Sequence, residues 1–209
     1  MDDADLALIL ALDCSSSVSL ESFGLMASGC AAALRSEDVV AGLTGGPLGG
    51  SLLALLIWSG ERDQEVMVEW TRVGNAAELA RFAEAVENVP RIVPAGATAI
   101  GNALVVCTQM LATAPVAARR QVIDMVGDGR ANQGLAPAPI RDRLVEAGVI
   151  INGLCVLHEE PDLVANYAAE VIGGPGSFAL WCADFRGFEA AMRQKLAREI
   201  AAYQSTRTS

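Results

Sequence analysis

Four short apolar runs, almost empty of charge, constrain this chain more than any other feature: Leu6 to Leu12, Ser51 to Ser59, Gln121 to Val126 and Val149 to Leu157. Continuous apolarity without alternation is what a strand buried on both faces requires, because helices must cover it above and below. The stretches between these runs carry helical spacing. Ser19 to Arg35, Asn75 to Asn88, Thr98 to Ala112, Pro139 to Ala147, Asp162 to Val171 and Phe185 to Tyr203 read as helices; in the third, Ile100, Leu104, Cys107 and Leu111 share one stripe. Glu65 to Trp70 alternates as a half-exposed edge strand does. Ser177 to Cys182 reads as the last strand, and the glycine-rich stretch Gly42 to Gly50 as a loop. The pattern predicts a doubly wound, Rossmann-like α/β sandwich of three layers, with helices on both faces of a mainly parallel sheet. A tight hairpin between the second and third strands makes one edge antiparallel.

The 209 residues read as a single domain over 1–209, and 52% hydrophobic against 19% charged residues supplies a full core. Disorder, collagen-like repeats and coiled coil are excluded by that balance. A net charge of −10 gives no electrostatic footprint for nucleic acid or anionic lipid. No apolar run approaches the ~20 residues that span a bilayer. Met1-Asp2-Asp3-Ala4 is too acidic for a signal peptide, although a chain with its leader removed reads the same way. The five cysteines (Cys14, Cys30, Cys107, Cys155, Cys182) are odd in number and lack a C-x-x-C pair, which argues against a zinc ribbon or a disulfide scaffold. They read as buried thiols; Cys155 and Cys182 could fall on adjacent strands, so a disulfide between them is open but not predicted.

In such a fold, function gathers at the carboxyl ends of the strands. Three segments there are rich in oxygen: Asp13-Cys14-Ser15-Ser16-Ser17, Gly96-Ala97-Thr98 and Gly127-Asp128-Gly129. Spacing by twos puts Asp13, Ser15 and Ser17 on the same side of an extended loop. Together with Thr98 and Asp128 they make two carboxylates and three hydroxyls, an oxygen-only set suited to a hard divalent cation. Mg²⁺ fits this arrangement, and Mn²⁺ and Ca²⁺ share it. Each segment alone has a plain structural reading. Ser17 or Ser19 caps the first helix, Thr98 caps its own, and Asp128 between glycines makes a turn.

The sequence Asp13-x-Ser15-x-Ser17, then Thr98, then Asp128-Gly129 resembles the metal-ion-dependent adhesion site (MIDAS) of von Willebrand factor A domains. The resemblance covers nearly the whole chain. GPLGG (46–50), WSG (58–60), VIDMVGDG (122–129), INGL (151–154) and VIGGPGSF (171–178) look like a bacterial subfamily of uncharacterised function whose members commonly carry export signals. It implies a six-stranded sheet in the order 3-2-1-4-5-6 with the third strand antiparallel. It also implies Ser15, Ser17 and Thr98 as direct metal ligands, with Asp13 and Asp128 bound directly or through water. The open metal position would take an acidic side chain from a protein partner. Gly127 departs from the Thr or Ser that many relatives carry there, and Cys14 sits in the motif's variable place.

The remaining polar residues divide less sharply. Asp124, inside a buried strand, needs a partner; it reads either as support for the site or as paired with Arg119 or Arg120. His158, the sole histidine, reads as a surface loop residue. Trp58, Trp70 and Trp181 read as packing. Arg130 and Asn132 follow Asp128 and read as a rim contributing partner specificity. Two function classes result: a metal-dependent protein-binding module, and a metal-dependent phosphoryl or ester hydrolase with Asp13 as nucleophile. Against the hydrolase, Ser15 stands where a second carboxylate is expected and the single lysine, Lys195, lies in the last helix. Oligomeric state is not legible.

Overall fold

The computed structural model describes residues 3–205, with side chains through residue 201. Six strands form one sheet: β1 (Ala4–Asp13), β2 (Ser51–Trp58), β3 (Gln64–Val73), β4 (Ala118–Gly127), β5 (Ile150–Val156) and β6 (Ala179–Cys182). Their order is β3-β2-β1-β4-β5-β6, with β3 antiparallel to β2 and the other neighbours parallel. This is the predicted topology. β1 and β2 are buried along their whole length, which is why their sequences run apolar without alternation.

Helices cover both faces. α1 (Leu20–Leu34), α2 (Glu37–Thr44), α3 (Ala76–Glu87) and α7 (Phe188–Ser205) pack on one; α4 (Ile100–Ala112), α5 (Pro137–Glu146) and α6 (Leu163–Glu170) pack on the other. Leu8, Leu10 and Leu12 of β1 face the first layer, whereas Ala7, Ile9 and Ala11 face the second. Burying each such leucine or isoleucine is worth about 1.5–3 kcal/mol. Local signals set the helix ends. The Ser19 side chain accepts from Ser22 N and that of Asn75 from Glu78 N. Gly148, at φ +87, takes the left-handed turn that ends the α5 segment.

Several expectations are corrected. Residues 42–44 of the expected loop belong to α2, a helix with only Val39 and Leu43 buried, too few apolar positions to show a period. α5 begins at Pro137, which occupies the first turn where its missing N–H costs nothing. Trp58 is buried and Trp70 Nε1 donates to Met110 O, but Trp181, on the edge strand β6, is 58% exposed rather than packed. Cys155 and Cys182 are both unpaired. Val156, not Cys155, stands opposite Cys182, so the two thiols lie on opposite faces of the sheet. Asp124 pairs with neither Arg119 nor Arg120: its carboxylate is ion-paired with Lys195 of α7, which also donates to Glu199 Oε1 at 2.6 Å. Among the described residues no helix is long and apolar enough to cross a membrane.

Candidate metal centre

β1 ends at Asp13 and its neighbour β4 ends at Gly127, so the loops that follow meet at one edge of the sheet. The turn after β1 is tied down from three sides. Cys14 N donates to Trp58 O, Ser16 N to Gly96 O, and Arg91 Nη2 to Cys14 O at 2.9 Å. The strand-like spacing of Asp13, Ser15 and Ser17 thereby becomes a fixed arc. Asp13 Oδ1 accepts from Ser15 N at 2.6 Å, the Ser15 and Ser17 hydroxyls are 3.2 Å apart, and Ser17 Oγ donates to Asp128 Oδ1 at 2.7 Å.

Thr98 arrives from the segment before α4. It caps nothing: the residue at that helix end is Ala99, with no side-chain cap. Instead Thr98 is held by Asn132, whose Oδ1 accepts from Thr98 N at 2.8 Å and whose N donates to Thr98 O at 3.0 Å. A Cβ on Gly129 would stand 3.8 Å from Thr98 Oγ1, which sets the threonine hydroxyl beside the Asp128 loop. The structure thus brings together all five residues singled out in the sequence. Ser19, not Ser17, caps α1.

The electrostatics are those of a site short of positive charge. Burial pushes the Asp13 carboxyl up to about 7, and the nearby Asp128 adds to the rise. Asp128 is raised too, by burial first, with the Ser17 hydrogen bond opposing. Asp13 Oδ2 and Asp128 Oδ2 are buried and find no hydrogen-bond partner in the protein. Two buried oxygens without donors, beside three hydroxyls, are what a divalent cation and its waters would satisfy. Among the described residues no three His, Cys, Asp or Glu side chains gather as metal ligands, so the hydroxyls are needed to complete a coordination shell.

The two rim residues are already engaged. Arg130 is ion-paired with Glu160 at 2.7 Å and Asp162 at 2.5 Å, and Asn132 holds Thr98. Two neighbours carried no sequence signal of their role. His158 reaches the site, its Nε2 3.7 Å from Asp128 Oδ2 and its ring tilted against Phe185. Tyr167 of α6 is fully buried and its hydroxyl has no partner; it would lie 2.6 Å from a Cβ on Gly127. The glycine at 127, inside the end of a strand, was the available hint, since such glycines mark close approach.

A family model described as "Protein of unknown function (DUF1194)" matches residues 3–204. The chain belongs to the DUF1194 family. No curated protein matches the sequence. Among solved structures, the DUF1194 chain is similar to proximal thread matrix protein 1 of the mussel byssus, solved with a zinc-occupied MIDAS motif, at 18% identity and a TM-score of 0.67 over 96% of this chain and 48% of that one. It is similar to a von Willebrand factor type A protein from Catenulispora acidiphila at 18% identity and a TM-score of 0.63, over 95% of this chain and 43% of that one. The von Willebrand factor domain of Mfa5, a type V pilus tip protein from Porphyromonas gingivalis, matches at 12% identity and a TM-score of 0.63, over 97% of both chains. The DUF1194 chain spans about half the length of the mussel protein. Its fold is that of a von Willebrand factor A domain.

Proposed function

We propose that this chain is a metal-dependent protein-binding module, with a divalent cation held by Asp13, Ser15, Ser17, Thr98 and Asp128. The observation that carries the reading is the pair of buried carboxylate oxygens, Asp13 Oδ2 and Asp128 Oδ2, left without a protein donor beside linked hydroxyls. A bound cation would supply an electrophilic position for a partner's carboxylate oxygen. The chain's own residues prepare that position. Ser15, Ser17 and Thr98 offer neutral oxygens, so only two negative charges face the ion and it stays attractive to a third. Asn132 fixes the Thr98 segment, and Arg91 fixes the backbone of the serine turn.

Mg²⁺ is the proposed resident ion, with Mn²⁺ and Ca²⁺ sharing the ligand set. The zinc-occupied MIDAS of the mussel protein supports a divalent site in this fold. Binding is favoured over hydrolysis by the placement of Lys195, which is spent on Asp124 and Glu199 inside the sandwich. An exported location is part of this proposal and rests on the sequence resemblance alone.

Titration calorimetry of Mg²⁺ and Mn²⁺ into metal-free protein tests the reading, with Asp128→Ala alongside. Saturable binding by wild type, lost in the variant and tightened by an acidic peptide, is expected. Absence of binding by wild type, with the peptide or without it, overturns the reading. Turnover of a phosphate ester that vanishes in Asp13→Asn would replace it with the hydrolase.

A further inference from the structure

Tyr167 and Asp13 each bring a buried, partnerless oxygen to the same point. The Tyr167 side chain has no exposure, and it crosses from α6 to the site along a trough made by two glycines of adjacent strands. A Cβ on Gly153 of β5 would stand 2.8 Å from Tyr167 Cδ1, and one on Gly127 of β4 would stand 2.6 Å from Tyr167 Oη. The same position over Gly127 lies 3.1 Å from Asp13 Oδ2. Neither Tyr167 Oη nor Asp13 Oδ2 has a hydrogen-bond partner in the protein. The two atoms are at most about two hydrogen-bond lengths apart, the span of one bridging water.

An unpaired phenol in an apolar interior is destabilising, and phenylalanine would fill the same volume without that cost. Burial, the largest influence on this group, holds the phenol in its neutral form, able to donate. Ser15 N already donates to Asp13 Oδ1, so Oδ2 is the oxygen of Asp13 that still lacks a donor. Its orientation toward a metal or a metal-held water depends on what stands behind it.

We propose that Tyr167 is a positioning residue of the metal centre, its hydroxyl donating through a water in the Gly127 gap to Asp13 Oδ2 and fixing that carboxylate for the ion. The inference rests on the metal-binding reading above. It assigns to α6, a helix that contributes no ligand, a part in metal affinity. It also gives the glycine at 127 a reason: any side chain there displaces the tyrosine hydroxyl.

Four proteins test this by Mn²⁺ and Mg²⁺ calorimetry and thermal melting: wild type, Tyr167→Phe, Tyr167→Phe with Gly127→Ser, and Tyr167→Phe with Gly127→Ala. Tyr167→Phe should still fold and melt cooperatively without metal, yet bind either ion about tenfold more weakly, as the loss of a hydrogen bond to a charged group implies. Serine at 127 in that background places a hydroxyl beside Asp13 Oδ2 and should recover most of the affinity, whereas alanine should not. Mg²⁺ should shift the tyrosine bands of the near-ultraviolet difference spectrum in wild type and not in Tyr167→Phe. Equal affinity of wild type and Tyr167→Phe, or equal recovery with serine and alanine, overturns the inference and leaves the metal reading standing. Failure of wild type itself to bind overturns both.

Discussion

Lys195 of α7 is ion-paired with Asp124 of β4, and neither side chain reaches solvent. Glu199, one helical turn on, accepts from the same Nζ at 2.6 Å and from Asn152 Nδ2 of β5 at 2.8 Å. Asn152 Oδ1 in turn accepts from Phe178 N. Two carboxylates thus share one ammonium inside the sandwich, and the arrangement ties the last helix to the strand that leads to Asp128. Removing the ammonium would leave two carboxylates facing each other in an apolar layer. Lys195→Met should lower unfolding stability by about 3–5 kcal/mol, the usual consequence of orphaning a buried charge. Denaturant titration measures it. Replacing Lys195, Asp124 and Glu199 together by apolar residues of similar volume should cost much less, because nothing charged is then left behind.

Metal-free stability should fall as pH rises. The Asp13 carboxyl titrates at about 7 in the folded protein against 3.8 in the unfolded chain, raised by burial and then by Asp128. Between those values the folded state holds a proton that the unfolded chain has released. Its contribution is therefore fully present below the unfolded value and is lost as pH rises through the folded one, on the order of 4 kcal/mol in all. Unfolding in chelator at pH 5 and pH 8 checks the sign. Mg²⁺ competes with the same proton, so its affinity should climb about tenfold per pH unit below 7 and level off above it.

Asn132 carries a prediction that separates scaffolding from ligand contact. Its side chain does not reach outward for a partner; it accepts from Thr98 N. Asn132→Ala should cost about 1 kcal/mol of stability and weaken Mg²⁺ binding through the loosened threonine. Asn132→Asp keeps the acceptor and should retain most of the stability. Arg130→Ala, which breaks only exposed ion pairs, should change stability by under about 1 kcal/mol.

Gly101 sets how closely α4 approaches the loop after β4. A Cβ there would run into the Leu135 carbonyl and crowd Ala136. Gly101→Ala should destabilise by about 1–3 kcal/mol as the loop is pushed away, despite alanine's better helix propensity. Chemical denaturation shows the sign at once, because propensity alone predicts stabilisation.

The sheet was legible because β1 and β2 are apolar at nearly every position over a strand's length, and turn-forming residues flank them. The five candidate residues stood out in the sequence because Asp13, Ser15 and Ser17 lie within one turn, Thr98 precedes a helix and Asp128 follows a strand. What escaped had no local signature. Tyr167 looks like any aromatic on a short helix until Gly127 and Gly153 are seen to clear a path for it. His158 follows β5 and meets Asp128 only because β4 and β5 are neighbours. The partner of Asp124 lies some seventy residues downstream, and arginines in its own strand were the nearer candidates. α2 was hidden by Gly42 and by its two buried positions.

Ser17 and Asp128 touch across a sequence separation of 111 residues. The first precedes the second in synthesis by more than a hundred residues; the second needs β4 inserted beside β1. Long-range closure of this kind comes late in folding, after the entropy of the intervening chain has been paid. A half-finished chain therefore offers no grip to an ion or to anything an ion would recruit. Occupancy by the proposed ion would serve as a certificate of completion, issued only to a molecule whose central strands are already side by side.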